Sequence, residues 1–293
     1  MEYENNTIEN AGDVETTEVL EPTGDIYSDI ITTEISSEKI SVDISSDKTS
    51  VKSGSAYKKS DTFEPMVLFE DNHVLVVVKP QNLLSQGDTT GDEDLLSLLK
   101  SYIKHKYNKP GQVFLGLVHR LDRPTGGVMV FARTSKAAER LSEQLREGDV
   151  SKKYLAIVGG VPKLGTDRLV HYLKKDHTTN TVVLAPATTE GAKKCILDYK
   201  TLETTGKYSL VDIKLVTGRS HQIRAQFKAI GHPLLGDVRY GGNKASNLAL
   251  WAYELRFNHP TTKKSMVFRV FPPEDTSFKH FNVDRYINIY RPE

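Results

Sequence analysis

The chain has 293 residues, 38% of them hydrophobic and 26% charged, which is enough for one large globular domain or two small ones around a substantial core. No apolar run approaches the roughly 18–20 residues of a membrane helix, and the N-terminus carries neither a secretory nor an organellar leader pattern, so no membrane role and a cytoplasmic address are expected. The net charge of +1 conceals an asymmetry: 13 acidic and 5 basic residues up to position 60 leave 25 acidic and 34 basic residues for the rest, a basic body compatible with a polyanionic partner.

Residues 1–60 are rich in Ser, Thr, Glu and Asp and poor in aromatics, the composition of an acidic disordered tail that cannot bury enough apolar surface to offset its ordering entropy. Within it only short apolar pieces, Ile30-Ile31 and Ile40 to Ile44, are candidates for pairing with something else. A single domain is expected over 61–293. It opens with two β-branched strands, Met66 to Phe69 and Val74 to Val78, split by the turn Asp71-Asn72 and closed by Lys79-Pro80. Asp92 and Glu93 then open a helix whose Leu95, Leu98, Leu99, Tyr102 and Ile103 share one face, ended by Asn108-Lys109-Pro110. Val128 to Ala132 is a strand feeding a helix that starts near Thr134 or Ser135 and stops at Gly148. Further strands are expected at 154–158, 194–202, 211–215, 248–257 and 266–271, with a helix from His221 to Ile230. Many strands and few helices, without regular alternation, predict an α+β domain around a mixed or antiparallel sheet.

Three polar segments lie at the edges of these elements. In His119-Arg120-Leu121-Asp122-Arg123-Pro124-Thr125-Gly126-Gly127 a carboxylate sits among cations, which favour its charged form, as a nucleophile requires. The same residues are compatible with a purely structural Asp122–Arg123 loop ion pair. In Thr217-Gly218-Arg219-Ser220-His221-Gln222-Ile223-Arg224 a glycine turn precedes a helix N-terminus, where an anion is favoured, either a phosphate or a buried aspartate. Arg219 and Arg224 are equally compatible with solvated positions. In Lys152-Lys153-Tyr154 a tyrosine opens a strand, a pattern that also suits core packing. Cys195, the only cysteine, excludes an internal disulfide and is expected to be a small buried side chain.

Taken together and in this order, the segments resemble the motifs of the RluA family of RNA pseudouridine synthases. The family's His-Arg-Leu-Asp stretch corresponds to His119 to Asp122, its Lys-x-Tyr-x-Ala to Lys152 to Ala156, its Gly-Arg-x-His-Gln-Ile-Arg to Gly218 to Arg224, and its Gly-His-Pro-x-x-Gly-Asp to Gly231 to Asp237. The resemblance spans roughly residues 63–273. It implies a largely antiparallel mixed sheet with flanking helices and a central cleft, and an isomerase that converts uridine in structured ribosomal or transfer RNA to pseudouridine after flipping the base out. It implies no metal or cofactor, RNA as the only partner, and a monomer. Asp122 would be the nucleophile, Tyr154 would stack on the flipped base, and Arg219 would pair with Asp122. His119, Arg120, Arg123, Thr125, His221, Gln222 and Arg224 are expected to bind substrate. Two departures stand out: Gly126 replaces a small hydroxyl residue, which is expected to affect loop flexibility, and the tail carries no recognisable small RNA-binding domain. The competing readings are a non-catalytic RNA-binding module, a metal hydrolase built on His119, Asp122 and His221, and a structural protein.

Overall fold

The structure is a computed structural model and describes residues 40–42 and 63–287, except 177 and 180. The rest of the expected acidic tail lies outside the described residues. In chain order the elements are β1 (Ile40–Val42), β2 (Met66–Glu70), β3 (Val74–Lys79), α1 (Leu95–Lys106), β4 (Gly116–Leu117), β5 (Gly126–Ala132) and α2 (Ser135–Glu147), then β6 (Ser151–Gly159), β7 (Gly165–Asp176), β8 (Thr181–Leu184), β9 (Lys193–Thr204) and β10 (Tyr208–Leu215), and finally α3 (Gln222–Ala229), β11 (Leu250–Asn258), β12 (Ser265–Arg269) and α4 (Val283–Tyr286). Their caps follow local chemistry. Asp94, rather than the expected Asp92 or Glu93, accepts the Ser97 N–H at the start of α1, and Thr134 accepts the Ala137 N–H at the start of α2, which ends on Gly148 at φ 88°.

The strands form one sheet with the order β2-β3-β5-β11-β6-β10-β9-β7-β8, to which β12 adds beside β11 and β4 beside β5. Pairing is antiparallel except between β5 and β11 and between β1 and β12. Ile40 to Val42, one of the apolar pieces singled out in the tail, is therefore a strand, in register with Met266 to Phe268. The period of two along each strand divides the core between the two faces. Val74, Val76, Leu155 and Ile157 join Trp251, Phe257, Phe268 and the Ala137 and Leu141 face of α2. Leu75, Val77, Tyr154, Ala156 and Val158 face the other way, with Leu95, Leu99 and Ile103 of α1 and Ile223 and Phe227 of α3. Among the described residues no helix is long and apolar enough to cross a membrane.

The hairpin β7–β8 was not foreseen. Only Leu169 and Leu173 of β7 are buried, and their spacing of four imitates a helix more than a strand, while most of the remaining positions are polar or charged. Gly126 also departs from expectation. A Cβ there would lie 2.3 Å from the Trp251 ring, so the position demands space rather than flexibility. At the next residue, Gly127, φ is +126° and a Cβ would lie 2.2 Å from the Ala252 carbonyl oxygen. These two glycines let β5 close on β11 at the registers Trp251–Gly126 and Ala252–Gly127, directly after the loop that bears Asp122. Gly127→Ala should therefore destabilise the protein by more than ~2 kcal/mol, whereas Gly111→Ala, with open space around its Cβ, should stay within ~0.5 kcal/mol of wild type. Denaturant unfolding of the two variants checks this.

Candidate active site

Asp122 sits in the loop between β4 and β5, at the seam of two cavities of about 960 and 620 Å³ that share Arg120, Leu121, Asp122, Ser220, His221 and Arg224 in their walls. The backbone on both sides of Asp122 is gripped by the segment that follows β3. The Ser85 hydroxyl donates to the Leu121 carbonyl at 2.7 Å and accepts its N–H at 3.2 Å. The wholly buried Lys79 donates from Nζ to the carbonyls of Arg123 at 3.1 Å, Leu83 at 2.6 Å and Pro80 at 2.9 Å. Burial pushes its pKa down to about 7 against the pull of the Asp122 charge. Gln81 donates to the Pro124 and Leu248 carbonyls, and Thr125 closes a turn by donating its N–H to the Asp122 carbonyl at 2.9 Å. Only side chains of the loop are left to face the cleft.

The cation beside Asp122 is Arg224, not Arg219. Arg224 Nη1 lies 3.6 Å from Asp122 Oδ2, while Nε and Nη2 donate to the two carboxylate oxygens of Asp237 at 2.7 Å each. The guanidinium is buried and lies 4.8 Å from the centre of the Tyr240 ring. Burial opposes its charge, but the hydrogen bonds and charge of Asp237, and then the charge of Asp122, more than compensate, and its pKa is raised. The expected Asp122–Arg219 pair is not formed: Arg219 is an exposed residue in the wall of the larger cavity, and its backbone N–H donates to Gln222 Oε1, which fixes the turn. The alternative loop pair is not formed either, because Arg123 bonds to Asp92 at 2.5 Å.

His221, at φ 52° in the left-handed region, places Nε2 3.9 Å from Asp122 Oδ2. Its Nδ1 is 2.8 Å from the Tyr240 hydroxyl, whose oxygen already accepts the Val182 N–H at 2.8 Å. With that bond made, the tyrosine hydroxyl is placed to turn its proton to Nδ1, a pairing that makes Nδ1 an acceptor and puts the imidazole proton on Nε2, toward Asp122. Burial lowers the His221 pKa, against the charge of Asp122, and so favours this neutral form. Tyr154 is buried on the cleft face of β6, and burial, then the nearby Asp122 charge, raise its pKa, so its hydroxyl keeps its proton.

The other expected ligands divide. Arg120 is exposed and its guanidinium reaches the Ser220 hydroxyl at 3.5 Å. Thr125 is buried with an unpartnered Oγ1. Gln222 bonds to the Ile196 carbonyl, the Thr217 hydroxyl and the Arg219 N–H, which ties the turn to β9. His119 accepts the Val130 N–H on Nε2 at 3.0 Å, and burial with the adjacent Lys152 charge pushes its pKa down to about 3. With that nitrogen occupied and Arg224 beside Asp122, the arrangement does not suit the metal-hydrolase reading, and among the described residues no group of three or more His, Cys, Asp or Glu side chains could hold an ion. Cys195 is buried as expected. Sequence reasoning assigned no role to Lys79, Gln81, Ser85, Asp237 or Tyr240. The available signals were a lysine ending an otherwise unbroken apolar strand and the place of Asp237 at the end of the Gly231 to Asp237 motif.

A family model described as RNA pseudouridylate synthase matches residues 73–229. The chain is 36% identical over 224 residues to the uncharacterized RNA pseudouridine synthase YlyB of Bacillus subtilis, covering 72% of this chain and 71% of that one. It is 34% identical over 225 residues to ribosomal large subunit pseudouridine synthase C of Buchnera aphidicola subsp. Schizaphis graminum, covering 73% and 69%. In fold it is similar to human RNA pseudouridylate synthase domain containing 4, with a TM-score of 0.60 at 23% identity over 71% of this chain and 88% of that one.

Two outcomes follow from the geometry. Arg224→Gln leaves the buried Asp237 carboxylate without its partner and should destabilise the protein by about 3–5 kcal/mol, whereas Arg219→Gln should leave unfolding midpoints unchanged; chemical denaturation separates them. Tyr240→Phe removes the hydrogen bond that fixes the imidazole tautomer, and the ¹⁵N shifts of His221 should move from a single Nε2–H form to a mixture of tautomers.

Proposed function

Since the chain belongs to the RNA pseudouridine synthase family, whose members isomerise uridine in RNA, we propose that Asp122 is the residue that acts on the sugar carbon and that the substrate is ribosomal RNA of the large subunit. The observation that carries the first part is the position of the Asp122 carboxylate at the seam of the two cavities, beside a guanidinium that Asp237 already fixes in place. The names of relatives such as the large subunit synthases C and D support the second part.

The reaction breaks the C1′–N1 bond of a uridine, turns the uracil while it stays bound, and joins C5 to C1′. A proton leaves C5 and one is gained at N1, so substrate and product are isomers and no second reactant is needed. Bond cleavage leaves C1′ electron-poor, and a carboxylate can stabilise or trap that centre and then leave. Arg224 holds the carboxylate in place without binding it fully, because only one guanidinium edge faces it, at 3.6 Å. Tyr154 offers its ring to the base, and its retained proton suits it to donate a hydrogen bond rather than to remove one from carbon. The target must leave its stack to reach this depth, at a cost of a few kcal/mol. The cavity walls carry Arg120, Arg146, Lys214 and Arg219, a basic lining suited to the phosphates on either side of the extruded nucleotide.

Asp122→Asn keeps the size of the side chain and removes its charge. It should abolish pseudouridine formation in large-subunit RNA while RNA affinity stays within a few-fold of wild type. Pseudouridine mapping of RNA incubated with each protein is the test, and turnover by pure Asp122→Asn protein would overturn the assignment.

A further inference from the structure

Lys152 is a cation that the fold encloses without pairing. It lies on β6 two residues before Tyr154, on the same face of the sheet and about 7 Å along the strand, and it lines the larger cavity. Its neighbour Lys153 faces Glu254, with Nζ 4.0 Å from the carboxylate. The other enclosed cation of the site, Arg224, is held by Asp237. Among the described residues, by contrast, the Lys152 side chain makes no hydrogen bond or ion pair, although the residue is half-buried. Burial alone accounts for the lowering of its pKa, with no carboxylate opposing it. Its own charge helps to keep His119 neutral.

The turn above it leaves the ammonium accessible. Gly218 needs no left-handed backbone, yet a Cβ on it would come within 3.0 Å of Lys152 Nζ. Nζ is the far end of a flexible side chain and would give way to such a Cβ, so the contact shows only that the turn lies directly over the amine. A half-desolvated ammonium with no protein acceptor is costly until an anion reaches it through the cleft, and a full negative charge compensates it better than a neutral carbonyl does. In RNA that anion is the phosphodiester. One nucleotide can bridge from a base lying on Tyr154 to a phosphate at Lys152.

On the reading of the site given above, we propose that Lys152 is a dedicated site for one backbone phosphate of the nucleotide extruded into the cleft. It sets how far the strand is drawn in, and so where the uracil stops.

The test begins with wild-type enzyme and a large-subunit RNA fragment. If no RNA is isomerised, the isomerase reading fails whatever Lys152 does. With a fragment that is turned over, binding is measured in the Asp122→Asn background across a range of KCl concentrations. Lys152→Met should weaken binding about tenfold and reduce the slope of log affinity against log salt by ~0.7, the loss of one phosphate contact to a single strand. Lys152→Arg should retain both values. A second measurement uses the Asp122→Asn protein with no change at Lys152. Replacing single phosphates near the target uridine by neutral methylphosphonates should reveal one position that costs about tenfold and costs nothing further in Lys152→Met. Unchanged affinity and salt slope in Lys152→Met, or no methylphosphonate position with an effect, would overturn the proposal.

Discussion

The site depends on a single buried guanidinium shared between two carboxylates. Arg224 is pinned by Asp237 through two hydrogen bonds of 2.7 Å and presents its remaining edge to Asp122. The division is asymmetric for a physical reason. Asp237 is buried and needs full compensation, whereas Asp122 is partly exposed and must stay free enough to approach a sugar carbon. A buried ion pair seldom adds much net stability, because desolvating both charges offsets their attraction. Its value here is orientation. Replacing the pair by apolar residues could preserve the core but would leave nothing to aim the aspartate.

The loop is held by equally local means. Lys79, Gln81 and Ser85 bind the backbone at Leu121, Arg123 and Pro124, so Asp122 sits between anchored neighbours rather than on a mobile tip. Lys79 emerges from the end of a fully buried strand and satisfies three carbonyls that would otherwise be left bare. On the far side, Gly126 and Gly127 bring the chain against Trp251 and Ala252. The conformation around the carboxylate is therefore fixed from β3 on one side and β11 on the other, the two strands that flank β5 in the sheet.

Much of this was legible in the sequence where one physical signal dominates. Alternation and β-branching marked β3, β5, β6 and β10, and Thr134 and Gly148 marked the ends of α2. The motifs brought Asp122, Tyr154, His221 and Arg224 to one cleft. What could not be read was direction. Arg219 follows a glycine at a strand end and was expected to pair with Asp122, but it stays exposed in the wall of the larger cavity while the Gln222 side-chain oxygen accepts its backbone N–H. Arg224 lies one turn further on, in a helix whose residues 222–227 are all buried, and a cation there must find a carboxylate. Its partner Asp237 is 13 residues away, a separation that neither strand nor helix periodicity relates. Lys79 was equally hidden, because nothing in an apolar run ending in Lys-Pro says which carbonyls the amine will meet.

The hairpin that the sequence concealed turns out to be joined to the chemistry. Val182 on β8 donates its N–H to the Tyr240 hydroxyl, that hydroxyl sets the tautomer of His221, and His221 faces Asp122. Tyr240 also forms the ring on which Arg224 rests. One phenol thus connects the outermost strand of the sheet to both groups beside the aspartate. The polar character that made β7 hard to recognise suits the part of it that β8 leaves unpaired, and Val182 is the inward-facing residue that ties β8 down. A displacement of this edge would reach Asp122 through two hydrogen bonds, without any movement of the loop that carries it.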